Sequence, residues 1–335
     1  MRNFAIQGGF SGLAASTRVR LARNVKGYPY RNLTPGQLDE IAHQVWDALQ
    51  TAPAVSKGLT MTDVRAGSRE AMQLIEKHMI SPAFAQHGGK LIASDSGDIA
   101  IMLGEEDHIR LQVMGIGLCP KECMEMARRI ADLIASRVSF DYSDQLGYLT
   151  ACPSNLGTGL RVSVMLHLPV LTESGAVERM IAWAARQGFA VRGAYGEGTN
   201  ATGGFYQLSN QITLGLSEDA IVEKLICAAT EVIDQEKKAR EQVRTANEDA
   251  LFDRIARAAG TLHYARLLSS EEAARCISDV LIGLQMGYLS GVQAQTLIDA
   301  EQDTRPALIA GEPNARDRVR AERLRHDTAT LQINE

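Results

Sequence analysis

Two short segments of this chain alternate so regularly that they constrain its backbone more than any other feature. Val162, Val164, Leu166 and Leu168 alternate with Arg161, Ser163, Met165 and His167, and Ile109, Leu111 and Val113 alternate with Arg110, Gln112 and Met114. A period of two sends successive side chains to opposite faces of a strand. Each segment therefore has one apolar face to bury and a second face that carries an arginine, which is expected to border a site. If the second strand is regular from its start, Glu106, His108, Arg110 and Gln112 share one wall. Residues 91–103 alternate more weakly around Ser96-Gly97, as two antiparallel strands joined by a turn would.

The remaining periodicity is helical. Thr34-Pro35 reads as an N-cap followed by an N1 proline, with Leu38, Ile41, Ala42, Val45, Trp46 and Leu49 recurring on one face. Ser217-Glu218-Asp219 opens a long helix with the stripe Ile221, Leu225, Ala228 and Val232, its acids placed where the helix dipole favours them. From about residue 235 the pattern is helical almost to the end. Ser269-Ser270-Glu271-Glu272 starts another helix there, and Gly283, Gly287 and Gly291 punctuate the segment after it. The expected fold class is α+β: an antiparallel sheet flanked by helices over residues 1–235, then an all-helical region over residues 236–335.

Composition narrows the function. A chain of 335 residues that is 45% hydrophobic and 22% charged has the make-up of a soluble globule with one large and one smaller domain. A net charge of -5 with dispersed basic residues argues against general nucleic-acid binding. The longest apolar run, residues 162–171, is broken by His167 and Pro169 and is half of the ~20 residues a membrane span needs. The N-terminus has no continuous apolar stretch of the signal-peptide kind, so neither export nor membrane anchoring is expected. Five cysteines without dense spacing fit a reducing cytoplasm better than a disulfide framework. Cys119 and Cys123 lack a second pair at ligand spacing and are expected to be structural rather than zinc-binding. Cys227 and Cys276 are expected to be buried and inert. P-loop, protein-kinase and dinucleotide fingerprints are all absent from the sequence.

Four motifs concentrate the reactive residues: Ser16-Thr17-Arg18-Val19-Arg20, Gly104-Glu105-Glu106-Asp107-His108-Ile109-Arg110, Cys152-Pro153-Ser154-Asn155-Leu156-Gly157-Thr158-Gly159-Leu160-Arg161, and Val191-Arg192-Gly193-Ala194-Tyr195-Gly196-Glu197. In this order they resemble the guanidino kinases, which phosphorylate a guanidinium nitrogen at the expense of ATP. Within that superfamily the chain is most similar to the bacterial protein arginine kinases.

The resemblance implies a guanidino kinase, or glutamine-synthetase-like, catalytic domain over 1–235. It also implies ATP and Mg2+ as cofactors, with no metal ligand assigned to the protein. Arg18, Arg20, Arg110, Arg161 and Arg192 would hold the phosphates, a role that suits a permanently charged, bidentate fork. His78, in Leu74-Ile75-Glu76-Lys77-His78, matches the family's adenine-contacting histidine. A guanidinium with pKa above ~12 has no nucleophilic lone pair at neutral pH, so the site must take a proton as the phosphoryl group arrives. By resemblance Glu106 is the base, Glu197 the second carboxylate of the grip, and Cys152 a reactive cysteine whose thiolate adds negative charge beside the acceptor.

Only fifteen residues precede Ser16, where kinases of free guanidino metabolites carry a helical domain that closes over a small substrate. A protein-borne arginine is therefore the expected acceptor. Near the C-terminus, Arg316-Asp317-Arg318-Val319-Arg320-Ala321 resembles the R-D-x-x-R-A motif for allosteric phosphoarginine recognition, with Arg316, Asp317, Arg320 and Ala321 as its members. The plain alternative is a charged helix face with Asp317 paired to Arg320. By resemblance, region 236–335 would pair two subunits as well as recognise phosphoarginine. The expected partners are proteins with exposed arginine, a zinc-binding activator protein and a Clp-type AAA+ protease that degrades marked substrates under stress. Asn200 and Thr202 occupy a loop where related proteins carry an acidic residue, a departure that bears on substrate preference. The competing readings are a kinase of a free guanidino metabolite and a catalytically silent phosphoarginine-binding regulator.

Overall fold

The computed structural model describes residues 4–10, 12–193, 202–306 and 308–334. In chain order, β1 (Ala14–Arg23) is followed by α1 (Pro35–Gln50), the single turn α2 (Pro53–Ser56), β2 (Leu59–Val64), α3 (Arg69–Glu76), α4 (Pro82–His87), β3 (Gly89–Ser94), β4 (Ile99–Leu103), β5 (Ile109–Ile116) and α5 (Pro120–Ala135). A short hairpin, β6 (Tyr142–Ser143) and β7 (Gly147–Tyr148), precedes β8 (Leu160–His167), α6 (Pro169–Glu173), α7 (Ala176–Arg186), β9 (Phe189–Gly193) and β10 (Phe205–Asn210). The rest is helical: α8 (Glu218–Ala246), α9 (Glu248–Tyr264), α10 (Ser270–Met286), α11 (Ala294–Asp303) and α12 (Pro313–Asp327), with a two-residue ladder between β11 (Leu289–Ser290) and β12 (Gln332–Ile333).

The caps read from the sequence hold the helix starts. Thr34 and Gln37 form a reciprocal capping box at α1, Ser217 accepts from the Ala220 amide at α8, and Ser269 accepts from the Glu272 amide at α10. The large sheet, antiparallel throughout its described pairs, runs β2-β3-β4-β5-β1-β8-β10-β9. On one face Val19, Leu21, Leu111, Val113, Val162 and Val164 pack under α1, α5 and α8 in the main core. Each such side chain contributes about 1.5–3 kcal/mol on burial, so a one-residue slip of register that turned them to solvent is strongly disfavoured.

The opposite face has two apolar covers with a polar strip between them. Leu91, Ala93, Ala100 and Met102 lie with Phe84 and Ile80 beneath α3 and α4. Ala15, Met165 and Phe205 join the core of the C-terminal helices. This second cover overturns part of the polar-face expectation for β8. Arg161 does border the strip, but His167 is fully buried and its Nε2 lies 2.7 Å from Ser278 Oγ of α10.

The cysteines divide differently from the expectation. Cys119 and Cys123 are buried core neighbours, Sγ to Sγ 3.8 Å. Cys227 is exposed, because it falls off the apolar stripe of α8, and Cys276 is half-buried with its thiol pushed up to about 11 by burial and the nearby Glu272.

α8 runs through residue 235 and carries a buried ion pair toward the C-terminal helices. Glu236, with no exposure, accepts from the Val170 and Leu171 amides at the start of α6 (3.3 and 3.0 Å) and from Arg240 Nε at 2.7 Å. Arg240 also reaches Gln285 of α10 and His167 Nδ1, the latter at 3.3 Å. An arginine has only donors, so Nδ1 accepts and the His167 Nε2–H donates to Ser278.

Replacing Arg240 by Met leaves a carboxylate buried without its counter-ion and should destabilise the fold by about 3–5 kcal/mol in urea denaturation. A pH series tests the histidines. Burial holds His167 and His108 neutral, each with its pKa depressed below the free value. Below pH ~6.5 the unfolded chain binds protons that the folded chain does not, so stability should fall as pH drops from 6.5 toward 5, less steeply in His167→Gln.

Candidate active site

The pairing of β1 decides where the arginines go. Arg18 stands opposite Met114 and Ser163, and Arg20 opposite Gln112 and Arg161. Arg110 pairs with Ala22 of the same β1 face, and Arg192 lies opposite Gln207, itself opposite Met165. Directly paired residues of an antiparallel sheet share a face. Arg18, Arg20, Arg110, Arg161 and Arg192 therefore all project from one side, into the strip between the two apolar covers.

Among the described residues, this strip is short of counter-charge. Arg18, Arg20 and Arg161 each bury an Nε that lacks a hydrogen-bond partner. Burial, then Arg110 and Arg161, push the Arg18 guanidinium down to about 10. Arg20 is lowered by burial and by Arg18, Arg110 and Arg161, and Arg161 by burial, Arg192 and Arg110. Guanidinium groups keep their charge at neutral pH, so the strip is a preformed positive field with unused donors. A bound polyphosphate would satisfy both. Arg110 differs, because Glu105 pairs with its Nη1 at 2.5 Å and receives Ser81 Oγ at 2.6 Å. Burial raises the Glu105 carboxyl, yet Arg110 and Ser81 outweigh it and hold the group ionised.

β5 starts only at Ile109, so the shared wall expected for Glu106, His108, Arg110 and Gln112 is not formed. Arg110 and Gln112 do share it. His108 instead turns inward from a bend over residues 104–108, its Nδ1 accepting from the Val25 amide and its Nε2 donating to the Pro29 carbonyl. Glu106 sits exposed on that bend, with its amide bound to Glu105 Oε2 at 2.7 Å. Buried Asp107 joins the bend to the cysteine loop: it accepts from the Ala151 amide at 2.7 Å, Asn155 Nδ2 at 3.1 Å and Asn24 Nδ2 at 2.9 Å. Cys152 follows directly, half-exposed, with Sγ 3.1 Å from Ser154 Oγ. Gly159, at φ +61°, closes that loop onto β1, where a Cβ would come 2.5 Å from the Ala22 carbonyl oxygen.

His78 follows α3 in the left-handed region at φ +59°, an uncommon conformation for a residue with a side chain. Gln112 Nε2 donates to its carbonyl at 2.7 Å and Arg305 Nη1 lies 3.3 Å from its Nε2. Arg18, Arg20, Arg110 and His78 line one cavity of about 690 Å3, whose other wall comes from α10 and the end of α11. Arg18, His78 and Arg192 also line an adjoining hollow. Glu197 and Asn200 lie outside the described residues.

In the C-terminal motif Arg320 is buried, donating to the Leu268 and Thr304 carbonyls at 2.8 and 3.1 Å and to Asp317 Oδ1 at 2.7 Å. Ala321 is buried, and Arg316 and Asp317 are half-buried. The Asp317–Arg320 pair is thus formed, while the same arginine ties three elements together. Sequence reasoning placed Gln112 on the arginine wall but missed Glu105, Asp107 and Arg305 as shapers of the site. Gln112 had a signal in its alternation with Arg110, whereas Asp107 and Arg305 act through contacts far along the chain. Among the described residues no group of histidine, cysteine and carboxylate side chains has the proximity to hold a metal ion. No helix among them is long and apolar enough to cross a membrane.

Comparison with known proteins agrees with this geometry. The family described as ATP:guanido phosphotransferase, C-terminal catalytic domain, matches residues 38–239, and the one described as protein-arginine kinase McsB C-terminal domain matches residues 248–335. The protein-arginine kinase of Bacillus subtilis strain 168 is 38% identical over 327 residues, 94% of this chain and 90% of that protein. Its counterpart in Halothermothrix orenii is 39% identical over 326 residues, 94% and 93% of the two chains. A solved lombricine kinase superposes with a TM-score of 0.59 at 28% identity, covering 69% of this chain and 68% of its own. The duplicated taurocyamine kinase of Schistosoma mansoni gives 0.56 at 27% identity, over 68% of this chain and 34% of its own. With its arginine-lined sheet face and both family regions in order, the chain belongs to the ATP:guanido phosphotransferases, in the branch of the protein-arginine kinases.

Proposed function

We propose that this protein transfers the γ-phosphoryl group of ATP to arginine side chains of other proteins. The observation that carries the reading is the strip of five arginines on one sheet face, three with buried donors unused, beside a carboxylate bend bound to a cysteine loop. Phosphoryl transfer depends mainly on positioning and on stabilising charge at the equatorial oxygens, which such a field supplies. Arg18, Arg20, Arg110, Arg161 and Arg192 hold the phosphates, and His78 borders the nucleoside. Mg2+, bound with the nucleotide, would neutralise phosphate charge, and no protein ligand is assigned to it.

Glu106, exposed on its bend, accepts the acceptor guanidinium and takes its proton. Glu197 completes the carboxylate grip, and Cys152 adds negative polarisation beside it. Asp107 keeps Glu106 and Cys152 in mutual register. The relatives' names support a protein-borne acceptor over a free metabolite. We further infer a catalytic domain over 1–235 and a C-terminal domain over 236–335 that pairs subunits and uses Arg316, Asp317, Arg320 and Ala321 to recognise phosphoarginine. The same reading gives the protein a cytoplasmic stress-response role, with an activator protein and a Clp-type protease as partners.

The test is incubation with Mg-ATP and either a mixed protein substrate or free arginine, read by mass spectrometry under neutral conditions that preserve the phosphoramidate. Phosphoarginine on protein, abolished in Glu106→Gln while ATP binding persists, is expected. Phosphate only on free arginine would make the protein a metabolite kinase, and none on either, with an activator supplied, would leave a regulator. Asp107→Ala strips partners from several buried donors. It should cost about 3 kcal/mol of stability in denaturant titration and lower kcat more than it raises KM for ATP.

A further inference from the structure

The nucleotide cavity has a wall that the catalytic region does not supply. Arg305, just beyond the end of α11, lines it from the C-terminal helices together with Glu301 and, from α10, Ser270, Glu271 and Ala274. The Arg305 side chain is 9% exposed and bridges the two regions. Nη1 lies 3.3 Å from His78 Nε2 and 3.5 Å from Glu76 Oε2, and Nη2 lies 3.3 Å from Glu301 Oε2. Its backbone is fixed as well, since buried Arg320 holds the carbonyl of the preceding Thr304.

The charge distribution separates Arg305 from the arginines of the sheet. Arg18, Arg20 and Arg161 meet one another as like charges. Arg305 meets two carboxylates, so it adds little net charge for a polyphosphate. What it offers is a planar face and directed donors next to His78, at a part of the cavity walled by Ile75 and Ile80. An apolar wall with a few fixed polar groups suits a base and its sugar, while the uncompensated strip suits the phosphates.

We propose that Arg305 is a specificity-determining residue of the nucleotide site, by which the C-terminal helices read the nucleoside end of ATP together with His78. This rests on the kinase reading above, and deepens it by making nucleotide recognition a property of both regions.

Calorimetric titration of the full chain with Mg-ATP and, separately, with inorganic tripolyphosphate tests the proposal. Arg305→Lys keeps the charge between Glu76 and Glu301 and loses the planar fork. Its Kd for ATP should rise about tenfold, the weight of one charge-assisted hydrogen bond, while its Kd for tripolyphosphate stays within about twofold of wild type. Arg305→Met should show the same selectivity, and a thermal melt of each variant reports folding. Parallel loss of both ligands in Arg305→Lys, whether from misfolding or from a phosphate role, would overturn the assignment. Unchanged ATP affinity in both variants would overturn it too. Wild-type protein that binds neither ligand would sink the kinase reading itself, a result distinct from either of these.

Discussion

The structure depends on holding several like-charged guanidinium groups together on one face of a sheet. Two such charges about 8 Å apart repel by roughly 2 kcal/mol at an effective dielectric near 20, and three of these arginines also bury an unused donor. On the polar face Glu105, paired with Arg110, offsets part of that. The rest of the compensation comes from the other side of the same strands, where Val19, Leu21, Val162 and Val164 are sealed beneath α1, α5 and α8. Because alternate residues of one strand serve the two faces, the core that stabilises β1 is also what compels Arg18 and Arg20 to stand beside Arg161.

The two apolar covers give the strip its edges. Phe84, Ile80 and Met102 close it beside β4, and Phe205 with the C-terminal core closes it beside β8 and β10. Water is thereby kept from the flanks, which strengthens the field in the middle. The bend over residues 104–108 brings carboxylates to the rim without placing them in the strip. Glu105 turns back to steady Arg110, Asp107 turns down to bind the cysteine loop, and Glu106 alone of the three is left exposed. Three consecutive acids thus have three different surroundings.

The joint between the sheet and the C-terminal helices is polar as well as apolar. Glu236 and Arg240 are buried together and reach α6, β8 and α10, so the helices are held in one orientation by directed bonds. Such a pair adds little net stability compared with apolar packing. Its geometric demand fits a region whose α10 and α11 also form a wall of the arginine-lined cavity.

Period and cap chemistry were enough to read the α+β plan, the strands that carry Arg110 and Arg161, and the starts of α1, α8 and α10. Those are local properties, fixed by the alternation of neighbours and by one side chain bonding an amide three residues on. The four motifs made the family legible. What the sequence did not contain was which partner each polar residue would meet. Tertiary structure decided that β5 begins at Ile109, so that Glu106 and His108 leave the arginine face, and that His167 is covered by Ser278 while Cys227 stays exposed. It also decided that Asp107 meets Ala151 and that Arg305 meets His78, across 44 and 227 residues of chain. A repeat of two or 3.6 residues carries no information over such separations, because only the packing of whole elements brings those atoms within reach.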